Sequence, residues 1–228
     1  LFTSISISGS NNPGFSTGDA IRAVQEVAAE KLPADYVVEF TGLSKEELSS
    51  GSQTAIIFLL SLVFVYFILA AQYESFLLPL AVIISLPLGV VGAFFGQRIA
   101  GLENNIYFQI ALIMLVGLLA KNAILIVEFA IQRRNHGETL AMSAINAAKA
   151  RLRPILMTSF AFIFGMLPLV FASGIGSVGN RSIGTGAAAG LLIGTFFGLV
   201  AIPVLYVIFQ WLQEKITPVK TKDINLAE

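Results

Sequence analysis

Five long apolar segments dominate the chain after its first fifty residues. Each is about 20 residues or longer, which is the length that a helix needs to cross a hydrocarbon layer of about 30 Å. Prolines lie within or near several segments, and membrane helices tolerate them because neighbouring helices can satisfy the freed backbone groups. The pattern predicts five transmembrane helices, at 53–72, 76–97, 106–131, 154–173 and 183–212.

Residues 1–43 are more polar and predict a small α/β piece. Apolar and polar residues alternate over 1–8, and a second short apolar run occupies 36–40, so both segments are typical of strands. Apolar residues at helical spacing predict a helix over 17–32 between them. The predicted fold class is therefore an all-α membrane bundle of five helices, preceded by a strand-helix-strand piece. That piece has too little core to be stable alone, and we expect a partner subdomain elsewhere.

Three shorter segments connect or flank the predicted spans. A capping signature at 44–52 predicts a short amphipathic helix that leads into the membrane. Residues 139–152 are apolar on one face and predict a helix along the membrane surface. This helix could cover the ends of the bundle or take part in gating. Residues 213–228 form a polar tail.

Lysine and arginine are concentrated in alternate connections. Only Arg98 and Arg181 lie in the connections on one side. The other side carries Arg133, Arg134, Lys149, Arg151, Arg153, Lys215, Lys220 and Lys222. Because basic loops stay in the cytoplasm, we expect a cytoplasmic C-terminus and, in a bacterial inner membrane, a periplasmic N-terminal piece.

The composition excludes several classes of function. Hydrophobic residues make up 56% of the 228 residues and charged residues 12%, which is typical of an integral membrane protein. The net charge is zero, so no nucleic-acid partner is predicted. The chain has no cysteine, one histidine and no P-loop, and we predict neither an enzyme nor a metal site. It begins at Leu1 without a recognisable signal peptide, so we expect a fragment of a longer protein.

The third span carries the residues best suited to a chemical role. Lys121, Asn122 and Glu128 lie inside it, and a lysine at this depth costs about 2.5–3.5 kcal/mol on insertion scales. Lys121 and Glu128 are seven positions apart and share a helix face. A lysine paired with a carboxylate can act as a proton switch, because protonation of the carboxylate releases the lysine. The alternatives are a packing or insertion device for Lys121 and an interfacial charge for Glu128.

Glycine repeats indicate close helix packing. Gly92 and Gly96 lie four residues apart in the second span, and the last span repeats glycine at the same interval over 186–198. Such small faces let another helix approach closely. The repeat is interpreted mainly as architecture, with a sliding surface as the alternative.

Several sequence runs carry a specific family resemblance. They are FTGLSKEEL (40–48), AAQYESFLLPL (70–80), PLGVVGA (87–93), GLLAKNAILIVEFA (117–130) and RLRPILMTSFAFIFGMLPL (151–169). They resemble the C-terminal part of the resistance-nodulation-division (RND) multidrug exporters, in the hydrophobe/amphiphile branch. By this resemblance, residues 1–43 are similar to the end of a periplasmic porter subdomain. The five spans are similar to the eighth to twelfth helices of a twelve-helix protomer.

The resemblance implies a proton relay. Lys121 matches the family's relay lysine, which pairs with two aspartates on the fourth helix, and Thr158 matches the relay threonine. Arg151 matches the arginine at the cytoplasmic entrance of the eleventh helix, which carries the relay threonine, and Asn122 is adjacent to the relay. The two aspartates have no counterpart in this chain, so we do not expect it to pump alone.

The resemblance also implies function and partners. It predicts the C-terminal transmembrane part of a drug/proton antiporter, driven by the proton-motive force and without a cofactor. The implied partners are the missing N-terminal half, two further copies in a homotrimer, a periplasmic adaptor, an outer-membrane channel and the lipid bilayer. The implied cargo is hydrophobic or amphiphilic small molecules. Two alternatives stay open: a split half that acts as a scaffold with a complementary chain, and an RND exporter of metal ions or lipids.

Overall fold

The computed structural model of the chain is mainly helical. It describes residues 4–9, 12, 15, 17–33, 35–42, 44–45, 48, 53–174 and 176–216. Within these residues the α-helices are α1 (Thr17–Lys31), α2 (Gln53–Tyr73), α3 (Leu78–Ile99), α4 (Ile106–Asn135), α5 (Leu140–Val170) and α6 (Ser177–Ile216).

Helix α6 lies at the centre of the bundle and packs against α3, α4 and α5, whereas α2 packs against α3. The contact between α3 and α6 is close because both helices present glycine there. A Cβ atom on Gly194 would lie 2.9 Å from the Cα atom of Gly89, which is too short for a real contact. The close approach that the glycine repeats predicted is therefore confirmed.

The core consists of apolar side chains between these helices. Fully buried members include Phe108 and Leu115 of α4, Val82 of α3 and Tyr206 of α6. The outer surface is also apolar, with exposed aromatic rings such as Phe160 and Phe196. An outer surface of this kind fits a lipid environment.

Among the residues that the structure describes, four helices, α3 to α6, are long and apolar enough to cross a membrane. Helix α2 has 21 residues (Gln53–Tyr73), and the apolar stretch Leu59–Tyr73 lies within it. A helical membrane bundle is thus confirmed, but the count of five spans is not.

The N-terminal helix predicted over 17–32 is confirmed as α1, but the two strands predicted beside it are not found. Residues 4–9 and 36–40 are extended or irregular and pair with no strand in the described part of the chain. Ile7 and Val37 are 92% and 91% exposed. A period-two pattern makes a strand only where a neighbouring strand and a core are present. The predicted strand-helix-strand piece is therefore not confirmed.

The segments predicted as a surface helix and as the fourth span form one continuous helix, α5. Pro154 lies inside it and removes one backbone hydrogen bond without ending it. At about 46 Å, α5 is longer than a hydrocarbon layer, so part of it extends past the membrane. Of the helix predicted at 44–52, Ser44, Lys45 and Leu48 are helical. Its other residues and the tail after Ile216 lie outside the described residues.

Candidate functional site

Lys121 lies on the outer face of α4. The helix begins after Asn105, whose side chain caps it by accepting a hydrogen bond of 3.0 Å from the backbone N–H of Phe108. Ile110, Ile113 and Gly117 recur at helical spacing with Lys121, and all four residues are exposed. In the described part of the chain, Lys121 belongs to no ion pair. Lys121 therefore lies on a face of α4 that the described helices leave exposed.

Glu128 does not pair with Lys121. Its carboxylate Oε1 accepts a hydrogen bond of 3.2 Å from the side-chain amide of Gln132, one turn further along α4. The seven residues between Lys121 and Glu128 correspond to a rise of about 10 Å along the helix. Glu128 is half-buried and lies nearer the end of α4.

Thr158 is exposed on α5, and its hydroxyl is bound to its own helix. The hydroxyl lies 3.1 Å from the carbonyl oxygens of both Pro154 and Ile155, and it can donate to either. A hydroxyl also has acceptor lone pairs, so Thr158 can still accept a hydrogen bond from another donor.

Asn122 and Ser159, the residues that follow Lys121 and Thr158 in the chain, are hydrogen-bonded to each other. This bond brings Lys121 and Thr158 to nearly the same level. The side-chain amide nitrogen of Asn122 lies 3.4 Å from the Ser159 hydroxyl oxygen and donates to it. Because α4 and α5 run in opposite directions, Lys121 and Thr158 lie one residue to either side of this hydrogen bond, about 3 Å apart along the bundle axis. The structure thus brings these two sequence-predicted residues to nearly one level, and it places Asn122 inside the bundle.

The hydrogen bond of Ser159 continues to a third helix. Its hydroxyl lies 3.1 Å from the Thr195 hydroxyl of α6, and either oxygen can be the donor. A small cavity beside Asn122 is lined by polar residues Ser85 and Thr195 and by apolar ones. Sequence patterns did not single out Thr195 or Ser85, because a lone hydroxyl residue in an apolar span gives no periodic signal.

Arg151 lies seven residues before Thr158 on α5, about 10 Å along the helix axis. Its guanidinium carbon is 4.7 Å from the ring centroid of Phe129, and that of Arg133 is 5.1 Å from the same centroid. Both distances are within the range of cation–π contacts. Arg151 therefore belongs to the end of the bundle where α4 meets α5.

This end of the bundle holds a cluster of charged and amide side chains, the Arg134 cluster, defined as Arg133, Arg134, Glu138, Asn146 and Glu214. Arg134 binds both carboxylate oxygens of Glu214 at 2.8 and 2.9 Å, and Arg133 binds Glu138 at 2.6 Å. Asn146 donates to the other oxygen of Glu138 at 3.0 Å. The hydrogen bonds from Asn146 and Arg133 lower the pKa of Glu138 below its ordinary value of 4.5.

No cluster of three or more histidine, aspartate or glutamate side chains that could hold a metal ion occurs among residues whose positions are described.

The family model of the AcrB/AcrD/AcrF transporters matches residues 1–210, which is most of the chain. The chain belongs to the AcrB/AcrD/AcrF family. This confirms the resemblance to RND multidrug exporters that the sequence runs indicated.

Two similar proteins are named as pump membrane transporters and a third as a multidrug resistance protein. The toluene efflux pump membrane transporter TtgB of Pseudomonas putida is 45% identical over 88% of this chain. The multidrug resistance protein MdtF of Escherichia coli K12 is 45% identical over 92%, and the solvent-resistant pump membrane transporter SrpB of P. putida is 44% identical over 90%. The chain spans 19–20% of the length of these relatives. The names of TtgB and SrpB describe pump membrane transporters, not enzymes.

Proposed function

We propose that the chain is the C-terminal transmembrane part of a proton-driven exporter and carries Lys121 as a working group of its proton relay. The main support is the exposed position of Lys121 on α4. It is a cation on a helix of a membrane bundle, on a face that the described helices leave uncovered, and in the described residues it has no counter-ion. A charge within a membrane needs a partner or a water-filled path. The partner is then supplied by another part of the transporter.

The relay works through an ion pair that forms and breaks. A carboxylate from the other half binds the ammonium group of Lys121 when it is ionised. When that carboxylate takes up a proton, the attraction is lost and Lys121 reorients. Because α4 contacts α5 and α6, a tilt of α4 that follows the reorientation moves those helices too. Proton uptake is thereby coupled to movement of the bundle.

Thr158 and Arg151 serve the same path on α5. Thr158 lies at the level of Lys121 and can accept a hydrogen bond from it or from a water molecule. Arg151 lies two turns nearer the Arg134 cluster, where protons enter or leave at the cytoplasmic end. Asn122 supports the relay from within the bundle.

The wider architecture follows the same proposal. Helix α2 is the first of five spans, the N-terminal piece is periplasmic and the C-terminus is cytoplasmic in a bacterial inner membrane. The complete transporter is a homotrimer that meets a periplasmic adaptor and an outer-membrane channel. Its cargo is hydrophobic or amphiphilic small molecules, in line with the names of the relatives, which mention toluene, solvents and multidrug resistance.

The test replaces Lys121 in the complete transporter that contains this chain. Purified Lys121→Ala is reconstituted in liposomes with an imposed pH gradient, and both drug efflux and proton counterflow are recorded. Lys149→Ala is the matched control, because Lys149 is an exposed lysine on α5 outside the proposed relay. We expect Lys121→Ala to assemble normally and to lose both fluxes, and Lys149→Ala to keep them.

Normal efflux by a correctly assembled Lys121→Ala transporter would reject the relay. Loss of assembly in Lys121→Ala would instead indicate a packing role for the lysine. Comparing the assembled fraction by size-exclusion chromatography separates these outcomes.

A further inference from the structure

Three polar side chains from three helices meet inside the bundle, directly behind the proposed relay. Asn122 of α4, Ser159 of α5 and Thr195 of α6 are 8%, 4% and 6% exposed. The amide of Asn122 donates to Ser159 at 3.4 Å, and the Ser159 and Thr195 hydroxyls are 3.1 Å apart. These residues are called the inner network below.

The inner network can persist only while the three helices keep their present rotation. A buried polar group is costly unless it is hydrogen-bonded, and here each group finds its partner on a different helix. Rotating or sliding one helix would leave a hydroxyl or an amide without its partner in an apolar interior. Such networks favour one arrangement of a bundle over others of similar packing.

The surroundings of Asn122 make the hydrogen bond important for its orientation. On one side Asn122 borders the small cavity that Ser85, Gly194 and Gly198 also line. Most of the other residues that line this cavity are apolar and cannot hydrogen-bond the amide, so Ser159 is the partner that orients Asn122.

The orientation of the inner network determines where Lys121 and Thr158 point. Consecutive residues of an α-helix are about 100° apart around the axis. With Asn122 held inward by Ser159, Lys121 is turned to the outer face of α4. With Ser159 held inward by Thr195, Thr158 is turned to the outer face of α5.

We propose that Asn122, Ser159 and Thr195 are positioning residues that hold Lys121 and Thr158 at one level on the outer face of the bundle. They carry no proton themselves. This inference rests on the proposed function, because positioning matters only if Lys121 works in the relay. It adds Ser159 and Thr195 to the residues on which transport depends and assigns Asn122 a supporting role.

The test compares two changes at Thr195 in the complete transporter. Thr195→Val keeps the shape of the side chain and removes the hydroxyl, whereas Thr195→Ser keeps the hydroxyl. Thr185→Val makes the same chemical change elsewhere on α6, outside the inner network, and serves as control. Turnover per assembled transporter and the KM for a drug substrate are measured in liposomes with a fixed pH gradient.

We expect Thr195→Val to lower turnover about three- to tenfold with KM unchanged, which is the effect of one lost hydrogen bond. Thr195→Ser and Thr185→Val should retain turnover close to that of the unchanged protein. Equal turnover of Thr195→Val and Thr195→Ser would overturn the proposal, as would a change in KM alone.

A double-variant cycle covers the case in which Thr195→Val does not assemble. Ser159→Ala is then combined with Asn122→Ala. Because the network acts as a unit, the turnover of the double variant Asn122→Ala/Ser159→Ala should be at least about half that of the slower single variant. Independent, multiplicative losses would refute a shared network. Retained transport in Lys121→Ala would reject the relay itself, which is a separate result.

Discussion

Arg134 of α4 and Glu214 of α6, which are 80 positions apart in the chain, form a bidentate ion pair that joins the two helices. Both side chains are about one quarter exposed, at 24% and 22%. The third guanidinium nitrogen of Arg134 donates to the backbone carbonyl of Glu138 at 2.9 Å, and Gln210 donates to Glu214 at 3.2 Å. The pair therefore fixes the end of α6 to the turn between α4 and α5.

The first prediction concerns this ion pair. Arg134→Ala and Glu214→Gln should each destabilise the complete transporter, and the pair should show a coupling free energy of about 1–2 kcal/mol in a double-mutant cycle. The measurement is unfolding by SDS titration from mild detergent. Arg153 is exposed on the neighbouring helix, so Arg153→Ala combined with Glu214→Gln is the control and should show no coupling. Coupling below about 0.3 kcal/mol for Arg134 and Glu214 would contradict the prediction.

The second prediction concerns the pKa of Glu138, which lies in the turn between α4 and α5. Hydrogen bonds from Asn146 and then Arg133 lower this pKa below 4.5, so the stabilisation is complete above the unfolded pKa and is lost as the pH falls through the folded value. Asn146→Ala should raise the pKa of Glu138 toward 4.5. The check is a titration of ¹³C-labelled glutamate by NMR in nanodiscs. An unchanged midpoint in Asn146→Ala would show that Arg133 alone sets the pKa.

The sequence predicted those elements whose signal is local. Apolar segments of membrane-spanning length became α3 to α6, and glycine at four-residue intervals became the contact between α3 and α6, because both signals depend only on what one helix presents to its surroundings. The strands predicted over 1–8 and 36–40 are not confirmed, for the opposite reason. A strand is completed by residues elsewhere, and alternation of Ile5 and Ile7 with serine cannot supply them.

The candidate site was predictable only in part. Lys121 and Thr158 were indicated by their chemistry in an apolar setting and by the family resemblance. Their rotation was not, since it follows from the contact of Asn122 with Ser159 and thus from the packing of two helices. Thr195 gave no signal at all because one hydroxyl among glycine and phenylalanine looks like ordinary membrane sequence.

The third prediction tests the contact between α3 and α6. A Cβ atom on Gly194 would lie 2.7 Å from Leu119 Cδ2 and 2.9 Å from the Cα atom of Gly89, and the backbone cannot yield cheaply. Gly194→Ala should therefore destabilise the transporter by about 1–3 kcal/mol. Gly198→Ala is the matched control on the same helix, because its nearest neighbour would be Ile202 Cδ1 at 3.5 Å. Thermal unfolding in detergent compares the two, and equal melting temperatures would argue against the close approach.

The fourth prediction separates Thr158 from Lys121 in the relay. The Thr158 hydroxyl donates to a carbonyl of its own helix, so what it offers the relay is an acceptor oxygen, and a water molecule can replace an acceptor more easily than any group can replace a charge. Thr158→Ala should therefore slow proton-coupled efflux by about three- to tenfold, whereas Lys121→Ala abolishes it. Thr158→Ser, which keeps the hydroxyl, should transport nearly normally in the same liposome assay. If Thr158→Ala retained full proton-coupled transport, the hydroxyl would have only a structural role on α5, and the path from Lys121 toward Arg151 would have to run through water alone.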